Sequence, residues 1–420
     1  MMHMSALNVY IELPGNVRFI LHMLREAGHE AYVVGGCVRD SIMGRKPHDW
    51  DICTSAKPEQ VIEIFNHYKV IPTGLKHGTV TIMKNDKPYE ITTYRVDGEY
   101  DDARHPKDVT FTTSLEEDLS RRDFTMNALA YNNNNDLVDL FGGVNDIKNG
   151  IVRCVGNPRE RFSEDALRIM RALRFATRFG FKIEENTFAA MKEKKSLLSK
   201  ISAERINSEL TQIIMCEAED VARILYKAED ILFELFPALR ENDGSYINNI
   251  LHSNKIKSVR LALLFDFPEE QLKDILTNLR YDNETISSVL NTRKYGQQIL
   301  KYDSDKYTIE YFLKRIMHDI GYEDTQKALF YCIAYSRAKS NEKQELLFTN
   351  MLYVAMVIND RNECYKLSQL AVNGNDIKHF GYKGQQIGTV LNYLLDMVMK
   401  GVLENNKPTL LKRVEELGEV

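Results

Sequence analysis

Long apolar runs are missing from this sequence. Stretches such as Leu261 to Phe265 fall far short of the roughly 18 residues that a membrane-spanning helix needs, so a soluble chain without a membrane partner is expected. Met1 to Tyr10 lack a basic region followed by an apolar stretch and a small-residue cleavage site; secretion is unsupported, and a cytoplasmic protein is expected. The cysteines are few and scattered: Cys37, Cys53, Cys154, Cys216, Cys332 and Cys364 include no C-x-x-C pair. That spacing argues against a disulfide framework, a zinc site or thiol chemistry, and fits a reducing compartment. Basic charge is not in excess either, with 55 Lys and Arg against 60 Asp and Glu. Overall electrostatics alone would not suggest a nucleic-acid partner. Linkers rich in Gly, Pro and Ser are nearly absent, which predicts pieces that pack on one another.

What is present is enough for two or three domains, with 420 residues of which 44% are hydrophobic. The positive charge that exists is gathered. Between Arg153 and Arg178 seven Arg face only Glu160, Glu164 and Asp165, and between Met191 and Arg205 five cations face two acids. A polyanion feels charge within a Debye length of about 8 Å, so both stretches are candidate phosphate-contact surfaces, although each also fits a solvated helix face.

The first 155 residues alternate strand-like and helix-like patterns. Val17, Ile20, Leu21 and Leu24 repeat at helical spacing and lead into Ala31-Tyr32-Val33-Val34, a short strand stopped by Gly35-Gly36. A short helix is expected from Val38 to Met43. Another is expected after Lys57-Pro58, with Pro in its first turn. Two strands, Thr79 to Met83 and Tyr89 to Tyr94, flank Asn85-Asp86-Lys87-Pro88 as a hairpin turn. Beyond Phe162 the pattern becomes almost wholly helical.

Three constellations carry chemistry. In the first, Gly35-Gly36-Cys37-Val38-Arg39-Asp40 precedes Asp49-Trp50-Asp51. Alternate residues of a strand share a face, so Asp49 and Asp51 would project together while Trp50 turns inward. Paired carboxylates suit Mg²⁺, which takes oxygen ligands at about 2.0–2.1 Å, and two ions about 3.5–4 Å apart can clamp an in-line displacement at phosphorus. The glycine turn into a helix offers backbone N–H groups to phosphates, and Arg39 adds a guanidinium fork. Asp-x-Asp alone also fits an exposed strand end, and Gly-Gly alone an ordinary turn. Glu90 is the candidate third carboxylate; it equally fits a solvent-facing strand position or a partner of Arg95.

The second is Arg121-Arg122-Asp123-Phe124-Thr125-Met126-Asn127-Ala128. Its arginines can donate to phosphate, while Asp123 and Asn127 can accept from a ribose hydroxyl; the same residues also fit a helix start capped by Asp123. The third is Glu164-Asp165-Ala166-Leu167-Arg168, followed by Arg171 and Arg174. On a helix Asp165 and Arg168 would stand about 60° apart, an acceptor beside a donor. Cytosine and adenine each show an amine donor beside a ring-nitrogen acceptor, so such a pair could admit CTP and ATP and reject uracil and guanine. A surface ion pair is the plain alternative.

In this order, Gly-Gly-Cys-Val-Arg-Asp, Asp-Trp-Asp, Arg-Arg-Asp-Phe-Thr-Met-Asn-Ala and Glu-Asp-Ala-Leu-Arg, the sequence resembles the bacterial-type (class II) CCA-adding tRNA nucleotidyltransferases of the polymerase-beta-like superfamily. The resemblance implies an α+β fold, with a mixed α/β nucleotidyltransferase head (1–155) followed by an all-α neck (156–215), body (216–335) and tail (336–420). It implies Mg²⁺ held by Asp49 and Asp51, nucleotide contacts from Gly36 and Arg39, and Arg122 and Asp123 flanking phosphate and ribose. Asp165 and Arg168 would act as an amino-acid template for the base, supported by Arg171 and Arg174. The helical parts would grip the tRNA acceptor end. The segment Asp97 to Pro106 stands where the family has a loop that lets one site change from adding C to adding A, which favours full CCA addition over a CC-only relative; a CC- or A-only relative is otherwise an alternative. A hydrolase motif found in some relatives is not matched at Arg260 to Phe267, and the adjacent pair His318-Asp319 reads as structural or surface. The nearest alternative is a bacterial poly(A) polymerase, and the alternative of another class is a non-catalytic RNA-binding protein.

Overall fold

The structure is a computed structural model and describes residues 9–98, 109–133, 137–241 and 243–418. Helix α1 (Gly15–Glu26) buries Val17, Ile20, Leu21 and Leu24, the stripe that the sequence predicts. Strand β1 (Ala31–Val34) then runs through the glycine pair into helix α2 (Gly36–Ile42). Strand β2 (Ile52–Thr54) begins just after Asp49-Trp50-Asp51, so the aspartates stand at the entrance of the strand and not within it. Helix α3 (Pro58–Ile64) starts on its proline, where a missing N–H costs nothing.

Strand β3 (Lys69–Gly74) has no counterpart in the sequence reading. It is mostly exposed, lies at the sheet edge and contains Pro72, a residue that a central strand rejects. Strands β4 (Thr79–Lys84) and β5 (Lys87–Thr93) form the expected hairpin. Asn85 and Asp86, its two turn residues, have φ of 52° and 59°, the left-handed pair that a tight hairpin demands. Strands β6 (Arg95–Asp97) and β7 (Val109–Phe111) form a separate two-stranded ladder, followed by helix α4 (Leu115–Ser120), capped by the Ser114 hydroxyl. Residues 99–106 of the predicted exchange loop lie outside the described residues.

With β8 (Leu129–Tyr131) and β9 (Leu137–Asp139), the main sheet has seven strands in the order β3-β4-β5-β2-β1-β8-β9. Strands β2 and β5 run parallel and the other pairs antiparallel, so the expected mixed sheet is present. Helix α5 (Gly143–Asn149) follows, its first N–H groups received by the Asp139 carboxylate. Strand β10 (Ile151–Val152), helices α6 (Pro158–Glu164) and α7 (Leu167–Phe179), strand β11 (Lys182–Ile183), and helices α8 (Glu185–Lys194) and α9 (Ala203–Ile214) complete the part that bears the candidate residues.

The chain forms two compact units. The first comprises the described residues through Ile213 together with Ile224–Ala238; the second comprises Ile214–Arg223 and the described residues from Leu239 onward. The second unit contains helices Lys257–Leu264, Asn283–Ile299, Ile309–Ala338 and Glu342–Asp360. Gly321, at φ 77°, breaks the longest of these. Arg260, 2% exposed, donates to the carbonyls of Ile214, Cys216 and Asn254 and ties this unit together internally. His318 Nδ1 lies 2.9 Å from the Tyr365 carbonyl oxygen, a structural tether as the sequence suggests. No helix among the described residues is long and apolar enough to cross a membrane.

Candidate active site

The first constellation assembles around the end of β1. Val34 N–H donates to the Asp51 carbonyl at 3.0 Å, which sets Asp51 directly beside the glycine turn. Gly35 has φ 78° and ψ −123°, a conformation open to glycine and closed to residues with a Cβ. A Cβ added there would lie 3.1 Å from Arg122 Nη1, so that guanidinium sits against the turn.

Ile52 pairs with Ile91 in the parallel ladder, which brings Asp51 and Glu90 to neighbouring positions one residue earlier. The Asp51 carboxyl is raised above the usual aspartate value, first by desolvation from the atoms crowded around it, although the residue still reaches solvent, then by the negative charge of Asp49; Arg122 opposes this and Glu90 adds to it. Asp49, Asp51 and Glu90 are all exposed, and Trp50 is half-buried. Among the described residues no three Asp, Glu, His or Cys side chains close into a ready-made metal cluster. The three acids share an electrostatic field, and they are hard oxygen donors of the kind Mg²⁺ takes.

Arg39 does not present a free fork. It is 5% exposed, donates to Asp40 Oδ1 at 2.9 Å and to Asn127 Oδ1 at 2.6 Å, and packs over the rings of Phe175 and Phe179. Asn127 is engaged at both ends of its amide, since its Nδ2 donates to Asp123 Oδ1 at 3.0 Å. Asp123, 8% exposed, also accepts from Phe124 N–H, and from Nε and Nη2 of Arg171. Burial pushes its carboxyl up, but the Arg171 charge and the hydrogen bonds from Asn127 and Arg171 outweigh this and hold it at about 2. Asp123 is therefore not the cap of a long helix. Four donors fill its two oxygens, and a ribose hydroxyl would have to share or displace one of them.

The third constellation departs from its expected geometry. Asp165 has extended backbone at the end of α6, and α7 begins at Leu167, so the 60° helical relation to Arg168 does not hold. Asp165 instead accepts from Leu167 N–H at 3.0 Å and from Arg205 Nη2 at 3.0 Å. Arg168, 8% exposed, donates to Glu164 at 2.7 Å and to the carbonyls of Arg161 and Arg121. Arg174 donates to Glu209 at 2.6 Å and lies over the Phe175 ring, which binds α7 to α9.

The two cation-rich stretches are largely compensated in the same way. Arg153 pairs with Asp146 and Glu184, Arg159 with Glu193, Arg161 with Glu164 and Lys192 with Asp230. Sequence reasoning missed Asp118, Glu164, Arg205 and Glu209, the residues that orient the candidates. Glu164 stands within the quoted motif and Arg205 within a flagged cluster, but no local pattern reveals a partner 40 residues away.

Three family models match successive parts of the chain. They are the Poly A polymerase head domain over residues 31–153, the "Probable RNA and SrmB- binding site of polymerase A" over 180–242, and tRNA nucleotidyltransferase domain 2 over 251–414. The chain is similar to the CCA-adding enzyme of Ligilactobacillus salivarius, with 36% identity over 407 residues covering 95% of this chain and 96% of that one. Against the CCA-adding enzyme of Limosilactobacillus fermentum the identity is 37% over 409 residues, with the same coverage. The structure resembles that of the Bacillus stearothermophilus CCA-adding enzyme in complex with CTP, with 29% identity, a TM-score of 0.77, and coverage of 96% of this chain and 97% of that one.

Proposed function

The chain belongs to the CCA-adding enzymes, and from that premise we propose that it adds C, C and A to the 3′ end of tRNA from CTP and ATP, releasing pyrophosphate. One observation carries the reading: Asp49, Asp51 and Glu90 share one field beside the Gly35 turn, with the Arg122 guanidinium against that turn. The raised Asp51 carboxyl fits a site whose ionised form gains from a divalent cation. Asp49 and Asp51 would hold Mg²⁺, with Glu90 beside them. When bound, the ion supplies charge stabilisation to phosphoryl oxygens and to the attacking 3′ oxygen.

The protein's own part is positioning and charge neutralisation. Arg122 and the glycine turn receive the triphosphate, with Arg39 bracing the turn through Asn127. Asp123 keeps Asn127 and Arg171 beside the ribose. Arg168, aligned by Glu164 and two carbonyls, and Asp165, aligned by Arg205, read the amine and ring nitrogen shared by cytosine and adenine. Arg174 supports them by fixing α7 to α9. Residues 1–155 would be the catalytic head, 156–215 the base-reading neck, and 216–335 and 336–420 the body and tail that hold the tRNA. Such a protein works where tRNA matures, in the cytoplasm.

The test supplies tRNA trimmed of its last three nucleotides with labelled CTP, ATP or both. Two C followed by one A is the expected product, and Asp51→Ala is expected to abolish it without unfolding the protein. A long A ladder would favour a poly(A) polymerase, and no extension a non-catalytic RNA-binding protein.

A further inference from the structure

One buried carboxylate outside the candidate set holds both arginines of Arg121-Arg122. Asp118 is 1% exposed. Its Oδ1 accepts from Arg121 Nε at 3.1 Å and Nη2 at 2.8 Å, and its Oδ2 accepts from Arg122 Nη2 at 3.1 Å. Arg122 is thereby divided in function. Nη2 is anchored on Asp118, while Nη1 is the atom that a Cβ on Gly35 would meet at 3.1 Å. Its Nε is buried with no hydrogen-bond partner among the described residues. The anchor on Nη2 leaves the Nη1 edge of Arg122 facing the turn beside Asp51. Asp118 Oδ1 also lies 3.4 Å from the Arg95 N–H, at the start of β6.

We infer that Asp118 is a positioning residue for the incoming triphosphate: it holds the Arg122 guanidinium against the Gly35 turn, where that guanidinium meets phosphate oxygens. This rests on the proposed nucleotidyl transfer for its ligand. Without the carboxylate the half-buried Arg122 loses its acceptor for Nη2 and leaves the turn, its long side chain following water.

The test measures CTP binding and tRNA extension by the full chain with Mg²⁺. Asp118→Asn is expected to weaken CTP binding by about tenfold or more, raising KM for CTP and ATP together while KM for tRNA stays within about twofold. Arg122→Ala should show a similar loss, and the double variant should be no worse than Arg122→Ala by more than about threefold, because the two act as one unit. Wild-type CTP affinity in Asp118→Asn, or losses that multiply in the double variant, would overturn the inference. If Asp118→Asn does not fold, the neutral pair Asp118→Asn with Arg121→Gln is compared with Arg121→Gln alone. A further loss of about tenfold in CTP binding supports the anchor, and equal binding overturns it. A wild-type protein whose CTP binding depends on Asp118 as above but which does not extend trimmed tRNA would sink the proposed function and leave the anchor standing; one that binds no CTP sinks both.

Discussion

Arg171 places two of its nitrogens on a single oxygen of Asp123, Nε at 2.8 Å and Nη2 at 2.5 Å, and so ties α7 to the Arg121–Asn127 segment 48 residues earlier in the chain. The relationship fastens the arginine-rich segment to α7 through a two-nitrogen ion pair. It also determines the charge state of Asp123, which stays ionised despite burial because its partner is fixed and cationic.

Stability should therefore depend on pH through this residue. Its folded value of about 2 lies below the ordinary 3.8, so the ionised pair stabilises the fold fully above the unfolded value and loses this contribution as pH falls from about 4 toward about 2. The shift corresponds to about 2 kcal/mol. Thermal unfolding of the wild type and Asp123→Asn should show the wild type more stable near pH 6, with the gap closing between pH 4 and pH 2. A gap that is independent of pH over that window would contradict the assignment.

Local signals in the sequence were legible because their physics is local. The Val17, Ile20, Leu21 and Leu24 stripe and the hairpin at Asn85-Asp86 each depend on neighbours within a few residues; the stripe appears as expected, and the turn is tighter than expected, with Lys87 and Pro88 already in β5. Strand β3 was hidden because Pro72 and its exposed positions obscure any alternation. The partners of the site were hidden for a different reason. Asp118 follows Glu116 and Glu117, an acidic run at a helix start that reads as ordinary N-terminal charge, and only the fold turns one of the three inward onto two arginines. The expected Asp165 and Arg168 pairing assumed continuous helix, whereas the break between α6 and α7 sends Asp165 to Arg205.

Base choice should respond to Arg168 more than overall binding does. Its guanidinium is held by Glu164 and by the Arg161 and Arg121 carbonyls, so its orientation is set before a nucleotide arrives. A hydrogen bond to a charged group contributes about 1.5–3 kcal/mol, which corresponds to a loss of discrimination of roughly 10- to 150-fold. Arg168→Ala should then incorporate UTP at a rate approaching that of CTP while CTP affinity changes much less. Single-nucleotide extension of trimmed tRNA with each of the four triphosphates measures it, and unchanged rejection of UTP would remove Arg168 from base reading.

The two glycines of the turn should behave differently when each becomes alanine. Gly35 combines φ 78° and ψ −123° with a Cβ position 3.1 Å from Arg122 Nη1, so Gly35→Ala strains the backbone and crowds the guanidinium, which must give by a few tenths of an ångström. Strain of this kind costs about 1–3 kcal/mol. Gly36 begins α2, and its added Cβ would meet Arg39 Nη2 at 3.6 Å, an ordinary contact. Gly36→Ala should fold at least as well as the wild type, since alanine limits the unfolded chain where the native conformation tolerates it. Unfolding midpoints and CTP binding separate the cases. Gly35→Ala is expected to lose both stability and CTP affinity, whereas any loss in Gly36→Ala is confined to CTP affinity and reports phosphate crowding at the turn. Equal stability of the two variants would mean that the conformation at Gly35 is not what keeps Arg122 and Asp51 together.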